Sequence, residues 1–261
     1  MTRIGFIACA IASSFAVAAC GGSSSGGSGS ASSSTAPQSS TPASATSAAF
    51  DKPASRAAAE RALLTTSDFP AGWTSSPSDN SDNAKQDAQL AACLHVSPST
   101  FGAPGPDGVE VDSPDFAPPG NTGADVSETV DVGTTAKADT EFGVLSSAKL
   151  PGCLDTVMGP FLKQSLAKDP STRSAKIGTP KTTHLAFPSL GDETDAFTFT
   201  VPFQIEGQTA TVYIDFVFIR NQNSGVELSF TSIEQPYDLS SAQTIARKAL
   251  AKLIAAKIPS A

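Results

Sequence analysis

Tyr213 and Asp215 stand two positions apart in a run that alternates between apolar and polar residues, so both side chains are predicted to point from one face of a β-strand. The strand register that the flanking sequence predicts places hydroxyl side chains beside both. A phenol, a carboxyl group and hydroxyls converging on one face could orient a molecule on the floor of a ligand cleft. A solvated sheet face, or a buried Asp satisfied by hydroxyls, fits the same pattern. This candidate ligand face forms two rows across three strands, namely Thr198, Asp215, Ser229 and Thr200, Tyr213, Thr231.

Segment 197–233 predicts the three antiparallel strands that position this face. Apolar residues take every second position in 197–205 and again in 212–218, which is the period-two pattern of half-buried strands. A two-residue Glu-Gly turn between the two runs would place Phe199 opposite Ile214, so that their apolar sets coincide. A slip of one residue would turn these side chains into water, so the register is strongly specified.

The polar run 221–225 predicts a second turn, after which a third strand begins. Val226, Leu228 and Phe230 again occupy alternate positions, and we expect them to continue the apolar face of the first two strands. The meander would then bury one aromatic wall on a single side of the sheet and present the candidate ligand face on the other side.

Residues 1–19 are typical of a secretory signal peptide, because one early cation, Arg3, precedes an uncharged run that is too short to span a membrane. The junction Val17-Ala-Ala-Cys20 resembles the lipobox of bacterial lipoproteins, in which the cysteine is acylated, for example with palmitate, and becomes the mature N terminus. The resemblance implies that Cys20 anchors the protein on the extracytoplasmic face of the cell membrane. A soluble secreted protein with an incidental cysteine is the alternative.

Segment 20–53 is predicted to combine the lipidated Cys20 with a disordered tether. No charged residue occurs from 21 to 49, and Ser, Gly, Ala, Thr and Pro make up nearly all of that stretch. Such a composition cannot bury enough surface to order itself. We therefore expect one folded extracytoplasmic domain, over 54–261.

The sequence contains four cysteines, and Cys9 and Cys20 belong to the export segment. The remaining pair, Cys93 and Cys153, would be exported to an oxidising compartment, so we predict a disulfide bond between them. A metal site is not expected, because there is no CxxC motif and the chain has only two histidines. No cofactor is predicted.

The chain is acidic, and its formal net charge of −8 becomes −9 once Arg3 leaves with the signal peptide. An acidic protein repels nucleic acid and anionic lipid headgroups, so neither is an expected partner. The expected partners are the lipid bilayer, through acylated Cys20, and an unidentified small molecule, lipid or envelope protein.

Helical patterns lie on both sides of the meander. After it, Asp238 is a suitable helix cap and 245–254 carries an apolar stripe of period 3.6. This order of elements predicts an α+β domain in which an antiparallel β-sheet is packed by helices. Before the meander, the patterns predict helices over 54–65, 84–94, 135–149 and 153–168, and strands near 109–111, 126–132 and 176–187.

Several of these features together resemble a known family. They are the lipobox, the tether, the segment Leu63-Leu-Thr-Thr-Ser-Asp-Phe-Pro-Ala-Gly-Trp73, the cysteine pair, Gly191-Asp-Glu-Thr194 before a strand, and the meander that ends in a helix. The combination is similar to mycobacterial and related actinobacterial envelope lipoproteins, and to the PknH-like extracellular sensor domain. Over 54–258 the resemblance implies an antiparallel sheet flanked by helices with a ligand cleft. The chain departs from the sensor pattern by offering one disulfide where that pattern has two.

Three functions are compatible with the sequence. The first is a non-enzymatic ligand-binding or sensor-like module tethered to the cell envelope, and the second is an accessory protein that binds another envelope protein. The third is a hydrolase, although the chain has no GxSxG, HExxH or phosphate-binding glycine loop, and a catalytic triad would have to use His95 or His184. We therefore expect no enzymatic activity.

Overall fold

The computed structural model describes residues 49–78, 83–98, 105–120, 122–168, 174–205 and 207–259. The expected signal peptide, Cys20 and most of the expected tether lie outside these residues, so those parts of the domain assignment remain predictions. The first helix begins at Lys52, two residues before the expected start of the folded domain.

The described residues form five α-helices and a nine-stranded sheet, which confirms the α+β prediction. The helices are α1 (Lys52–Ala62), α2 (Asn83–Leu94), α3 (Thr135–Leu145), α4 (Leu150–Lys168) and α5 (Leu239–Ala255). The strands are β1 (Thr74–Ser76), β2 (Gly108–Asp112), β3 (Asp115–Ala117), β4 (Asp125–Gly133), β5 (Lys176–Ile177), β6 (Lys181–His184), β7 (Glu193–Ile205), β8 (Gln208–Asn221) and β9 (Ser224–Ile233).

All strand pairs in this sheet are antiparallel. The order is β1-β3-β4-β9-β8-β7-β5, with β2 paired to the other half of β4 and β6 paired to β7. The meander β7-β8-β9 therefore forms the centre of the sheet. The first hairpin has the predicted register, since Phe199 pairs with Ile214 and Ile205 pairs with Gln208.

The prediction for the second hairpin is wrong by one residue. Asn221 pairs with Ser224, so only two residues form the turn and Phe216 lies opposite Ser229. The predicted turn was longer and would have kept the apolar rows in phase. Instead Val226, Leu228 and Phe230 point to the side of the sheet opposite Phe199 and Ile214.

The sheet is consequently buried on both faces, and its apolar rows form two cores and not the single wall expected. Face A packs against α1 and α5 and carries Val217, Val226 and Phe230. Face B packs against α2, α3 and α4 and carries the predicted aromatic wall of β7 and β8. The central strand β8 is apolar on both sides over 216–219 because helices cover both sides, a pattern usual in strands buried between two layers.

Polar side chains cap the starts of two helices, and the cap at Asp238 is the predicted one. The Asp238 side chain accepts a hydrogen bond from the backbone N–H of Ser241 at the start of α5, and the Thr134 hydroxyl accepts one from Lys137 at the start of α3. These bonds satisfy backbone groups that a helix leaves without partners. On face B, α2 and α4 are joined by the predicted Cys93–Cys153 disulfide.

Phe216→Ala is expected to lower the free energy of unfolding by about 3–5 kcal/mol, because it leaves a cavity in a closely packed core. The Phe216 side chain is 5% exposed and lies in the core of face B. Chemical denaturation followed by circular dichroism measures the loss. Ile254→Ala is the control, since Ile254 is 57% exposed on α5 and its truncation should change stability by no more than about 0.5 kcal/mol. A loss below about 1 kcal/mol for Phe216→Ala would contradict its place in the core.

Candidate functional site

Four of the six residues predicted for the ligand face do come together. Thr198 pairs with Asp215 and Thr200 pairs with Tyr213, all on face A. The Thr198 hydroxyl donates a hydrogen bond of 2.6 Å to Asp215 Oδ1. Burial raises the pKa of Asp215, while this hydrogen bond opposes the rise. With 4% of its surface exposed, Asp215 matches the alternative interpretation, a covered carboxyl group satisfied by a hydroxyl.

The other two residues, Ser229 and Thr231, are placed on the wrong face by the prediction. They lie opposite Phe216 and Ile214, on face B. The cause is the two-residue turn before β9, which reverses the side to which every β9 side chain points.

A cleft opens on face B, beside α3 and over the ends of β4, β8 and β9. It has a volume of about 450 Å³, part of it open to solvent. Its lining combines acidic and apolar side chains with Arg220, and it does not include Tyr213 or Asp215. The acidic residues are Asp131, Glu141 and Glu227, and the apolar residues include Phe142, Leu145 and Phe218.

Arg220 and Lys137 are the basic residues next to this cleft, and both already pair with acids. Arg220 Nη1 lies 2.9 Å from Asp139 Oδ1, and its Nε also pairs with Glu193. Lys137 pairs with Glu141 across one turn of α3. Arg220 therefore connects α3 to β7 and β8, whereas the Lys137–Glu141 pair lies within α3.

Acidic and hydroxyl side chains continue from the acidic residues of the cleft across face B. In β4 the valines and Glu128 occupy the even-numbered positions and point to face A, so Ser127, Thr129 and Asp131 point to face B. Glu110 lies directly opposite Asp131, and Thr129 lies between Asp112 and Glu227. The Thr129 hydroxyl donates a 2.8 Å hydrogen bond to Asp112 Oδ1. We call this surface the acidic floor, and its members are Glu110, Asp112, Asp125, Ser127, Thr129, Asp131, Glu227, Ser229 and Thr231.

Burial raises the pKa values of the carboxyl groups in and around the floor. It raises the pKa of Asp131 to about 7, with a further increase from Glu141 and a partial decrease from Lys137. Burial and the carboxylates of Asp131 and Asp112 hold the pKa of Glu110 well above its usual range. Burial and Glu227 raise the pKa of Asp87, on α2, to about 8. Asp131 and Asp87 therefore exchange protons near neutral pH.

Several polar atoms on face B are buried and have no hydrogen-bond partner. They include Glu110 Oε1 and Ser229 Oγ, whose residues are 5% and 2% exposed. An unsatisfied buried polar group costs about 1–3 kcal/mol, so such atoms are uncommon without a bound molecule or ion. Within the described part of the chain, no group of three His, Cys, Asp or Glu residues could hold a metal ion.

The histidine that a hydrolase would need lies outside the cleft. His184 is on β6, its side chain is 64% exposed, and its Nδ1 lies 3.6 Å from Asp195 Oδ1. Its ring packs on Phe197 with the centroids 4.5 Å apart. His95 is exposed immediately after α2. Neither histidine is among the cleft residues.

Sequence reasoning missed Asp131, Glu141 and Glu227 as a group. The signal that could have found them is the alternation in β4, where Val126, Val130 and Val132 are separated by polar residues. That pattern predicts one polar face for β4. The pattern does not indicate that helices pack on the polar face, and it is this burial that raises the pKa values of the carboxyl groups.

No family model and no curated protein matches this chain. Among solved structures, a weak neighbour is the extracellular domain of PknH from Mycobacterium tuberculosis, with 10% identity and a TM-score of 0.30 over 70% of this chain and 100% of that one. Another is LpqN, involved in cell envelope biogenesis of the same organism, with 11% identity and a TM-score of 0.24 over 58% of this chain and 83% of that one. Both are mycobacterial envelope proteins, the group that the sequence resembles. Structural similarity at these TM-scores gives no information about the functional site.

Among the residues that the structure describes, we find no helix with the length and apolar character needed to cross a bilayer.

The stability of the domain is expected to fall as the pH rises from 5 to 8. Burial raises the pKa of Asp131 and of Asp125 to about 7 and that of Glu128 to about 8, whereas carboxyl groups of an unfolded chain titrate near about 4. Between those values the folded state binds more protons than the unfolded state, so stabilisation by protonation is lost as the pH passes the folded-state values. Thermal unfolding at constant ionic strength should give a higher melting temperature at pH 5 than at pH 8.

Two variants make this test specific. Asp131→Asn cannot titrate at its position, so its melting temperature should fall less between pH 6 and pH 8 than that of the parent. Glu60→Gln changes an exposed acid on α1 and should follow the parent curve. A melting temperature that rises from pH 5 to pH 8 would contradict the raised pKa values.

Proposed function

We propose that this protein is a lipid-anchored, non-enzymatic binding module on the extracytoplasmic face of the cell membrane, and that the cleft beside α3 is its ligand site. The observation that carries the proposal is the mixed lining of one cleft, in which the acidic residues Asp131, Glu141 and Glu227 adjoin the apolar residues Phe142, Leu145 and Phe218. Small-molecule sites are typically concave and combine apolar and aromatic side chains with a few polar groups.

The location of the cleft suits a tethered protein. The N-terminal segment enters the fold through α1, which packs on face A against β2, β4 and α5. The cleft opens on face B, beside α3. Anchoring through Cys20 and the tether would therefore leave the cleft open to the surroundings.

An accessory role through a protein partner has less support. A docking surface of that kind typically exposes a contiguous apolar patch of several hundred Å². In the described part of the chain, the exposed large hydrophobic residues are Leu239 and Ile254. They lie near opposite ends of α5, so they do not form one patch.

Cys20→Ala should move the protein from the membrane fraction to the soluble fraction after export. The reason is that acyl chains on Cys20 would supply the membrane affinity, at about 0.8 kcal/mol for each buried methylene. Fractionation followed by immunoblotting measures the change. Cys9→Ala, which alters a cysteine within the expected signal peptide, is the control and should leave the protein at the membrane. An unchanged membrane fraction for Cys20→Ala would refute lipidation.

Leu145→Trp should fill the cleft and abolish binding of the molecule that co-purifies with the protein. Leu145 is a partly exposed apolar residue of the cleft lining, so a larger ring there occupies the opening. Mass spectrometry of small molecules extracted from the purified protein measures the effect. Leu239→Trp, a matched exchange at an exposed position on α5, should keep the ligand. A protein that yields no small molecule from either form would count against a ligand-binding function.

A further inference from the structure

We propose that the outer surface of α1 and α5 lies against the anionic headgroups of the membrane to which the protein is anchored. This inference rests on the proposed function, because it takes the lipid anchor at Cys20 as given and adds the orientation of the domain. It is carried by the distribution of charge, by one exposed apolar residue and by the point at which the tether joins the fold. We call this exposed surface the basic surface, and its members are Arg61, Arg247, Lys248, Ile254 and Lys257.

The helices that cover face A are basic, although the chain as a whole is acidic. Together α1 and α5 contain six of the 17 cations and one of the 25 acids, so these helices carry a charge of +5 and the rest of the chain −13. The charged residues that cap, follow or pair with the two helices reduce this charge to +3, and they are Asp51, Asp68, Asp238 and Lys257. The net charge of the chain predicts repulsion of anionic headgroups, but this layer has the opposite sign.

The acids of the cleft lie too far from the basic surface to cancel its attraction for anions. They belong to face B, whereas α1 and α5 pack on face A. The sheet and the thickness of a helix, about 10 Å, therefore separate the two sets of charges. At physiological ionic strength, exposed charges are largely screened from each other beyond about 8 Å. The basic surface can thus attract an anionic plane on its own side of the domain.

The cations of the basic surface keep their charge. The side chains of Lys248 and Arg61 donate hydrogen bonds to backbone carbonyl oxygens, which are neutral acceptors. Arg247 and Lys257 form no ion pair with any described residue. Lys252 does not count as a member, because it pairs with an acid of the same layer at 2.7 Å. Four cations therefore remain to face an anionic surface.

Ile254 adds an apolar side chain to these cations. It is 57% exposed, more than Leu239 at the start of α5. It lies seven positions after Arg247, which is two turns along the same side of the helix, and three positions before Lys257. Protein surfaces that bind bilayers combine apolar side chains that enter the headgroup boundary with surrounding cations. Against a bilayer, Ile254 would leave water while the charged ends of its neighbours stay at the headgroups.

The tether joins the fold on the same layer. It is expected to begin at Cys20, and it meets α1 at Lys52, about 14 Å along the helix from Arg61. A flexible chain of this length spans roughly 30 Å, so it can bring the basic surface to the membrane. Such a tether gives the membrane an effective concentration in about the millimolar range, at which weak attraction is sufficient for contact. This orientation turns the cleft beside α3 away from the bilayer.

The test compares vesicles with and without anionic lipid. The full chain carrying Cys20→Ala is sedimented with vesicles of phosphatidylcholine alone and with vesicles that also contain phosphatidylglycerol. We expect binding to the anionic vesicles to be at least about tenfold tighter, since each cation beside an anionic surface strengthens binding by about fivefold. The difference should decrease as the salt concentration rises. Because no acyl chain is attached at position 20, the charge preference belongs to the protein itself.

Two pairs of substitutions with the same change in net charge locate the contact. Arg247→Gln combined with Lys257→Gln should weaken binding to the anionic vesicles by about 25-fold. Lys149→Gln combined with Lys163→Gln removes two exposed cations at α4, across the sheet, and should leave binding unchanged. All four side chains are exposed, so the melting temperatures should stay close to that of the parent.

An introduced tryptophan reports which side of the domain meets the bilayer. Ile254→Trp should shift its fluorescence emission to shorter wavelength when anionic vesicles are added, because the indole ring leaves water. Gln164→Trp, at an exposed position of α4, should show no shift. The chain's single natural tryptophan, Trp73, is present in every form, so the emission of the parent is subtracted.

Each other result overturns the inference. Equal binding to the two kinds of vesicle would show that headgroup charge is not recognised, and an equal loss for the two pairs of substitutions would show that only net charge matters. If soluble polyglutamate binds as tightly as the anionic vesicles, and the emission of Ile254→Trp does not shift, the basic surface recognises an acidic protein and not a membrane. If neither kind of vesicle binds, the inference also fails. The proposed function is tested separately, by the fractionation of Cys20→Ala and by Leu145→Trp, and it can survive any of these results.

Discussion

The two-residue turn between β8 and β9 is the constraint on which the rest of this structure depends. Asn221 pairs with Ser224, Gln222 adopts a left-handed backbone conformation with φ of 57°, and the Asn223 side chain donates hydrogen bonds to the carbonyl oxygens of Gly133 and Pro259. Because side chains alternate along a strand, this turn decides which β9 residues face each layer of helices. If the turn were one residue longer, the β9 side chains that now point to face A would point to face B, and the reverse.

The consequence is a central sheet whose two faces differ in chemistry. The apolar row of β9 joins β4 and α5 on face A, where Phe230 is fully buried. The polar row of β9 joins the acids of β2 and β4 on face B, where Glu227 lies opposite Thr129. Face B therefore changes from aromatic at β7 and β8 to acidic at β4 and β2. The proposed ligand site lies at this boundary.

The acidic floor reduces the stability of the fold at neutral pH. Burial removes hydration from the charged form of a carboxyl group, which raises its pKa and favours the protonated form. The apolar cores on the two faces can offset this cost, since each fully buried large side chain contributes about 1.5–3 kcal/mol. Strongly perturbed acids gathered beside a cleft are more typical of binding or catalytic sites than of structural positions.

Local signals in the chain were sufficient to predict the α+β class, the β7-β8 register, the Asp238 cap and the Cys93–Cys153 disulfide. Most of those signals lie within short stretches of sequence, namely the alternation of apolar residues, the turn residues and the capping residues. The disulfide prediction depends instead on the cysteine count and on the expected oxidising compartment. Tertiary structure decided the face of β9, the separation of Ser229 and Thr231 from Asp215, and the acidic floor. The floor joins residues as distant in sequence as Glu110 and Glu227, and their pKa values depend on the helices that exclude water from them. The alternation within a single strand does not reveal whether a turn has an odd or an even number of residues. It also does not reveal whether helices pack on a given face of the sheet.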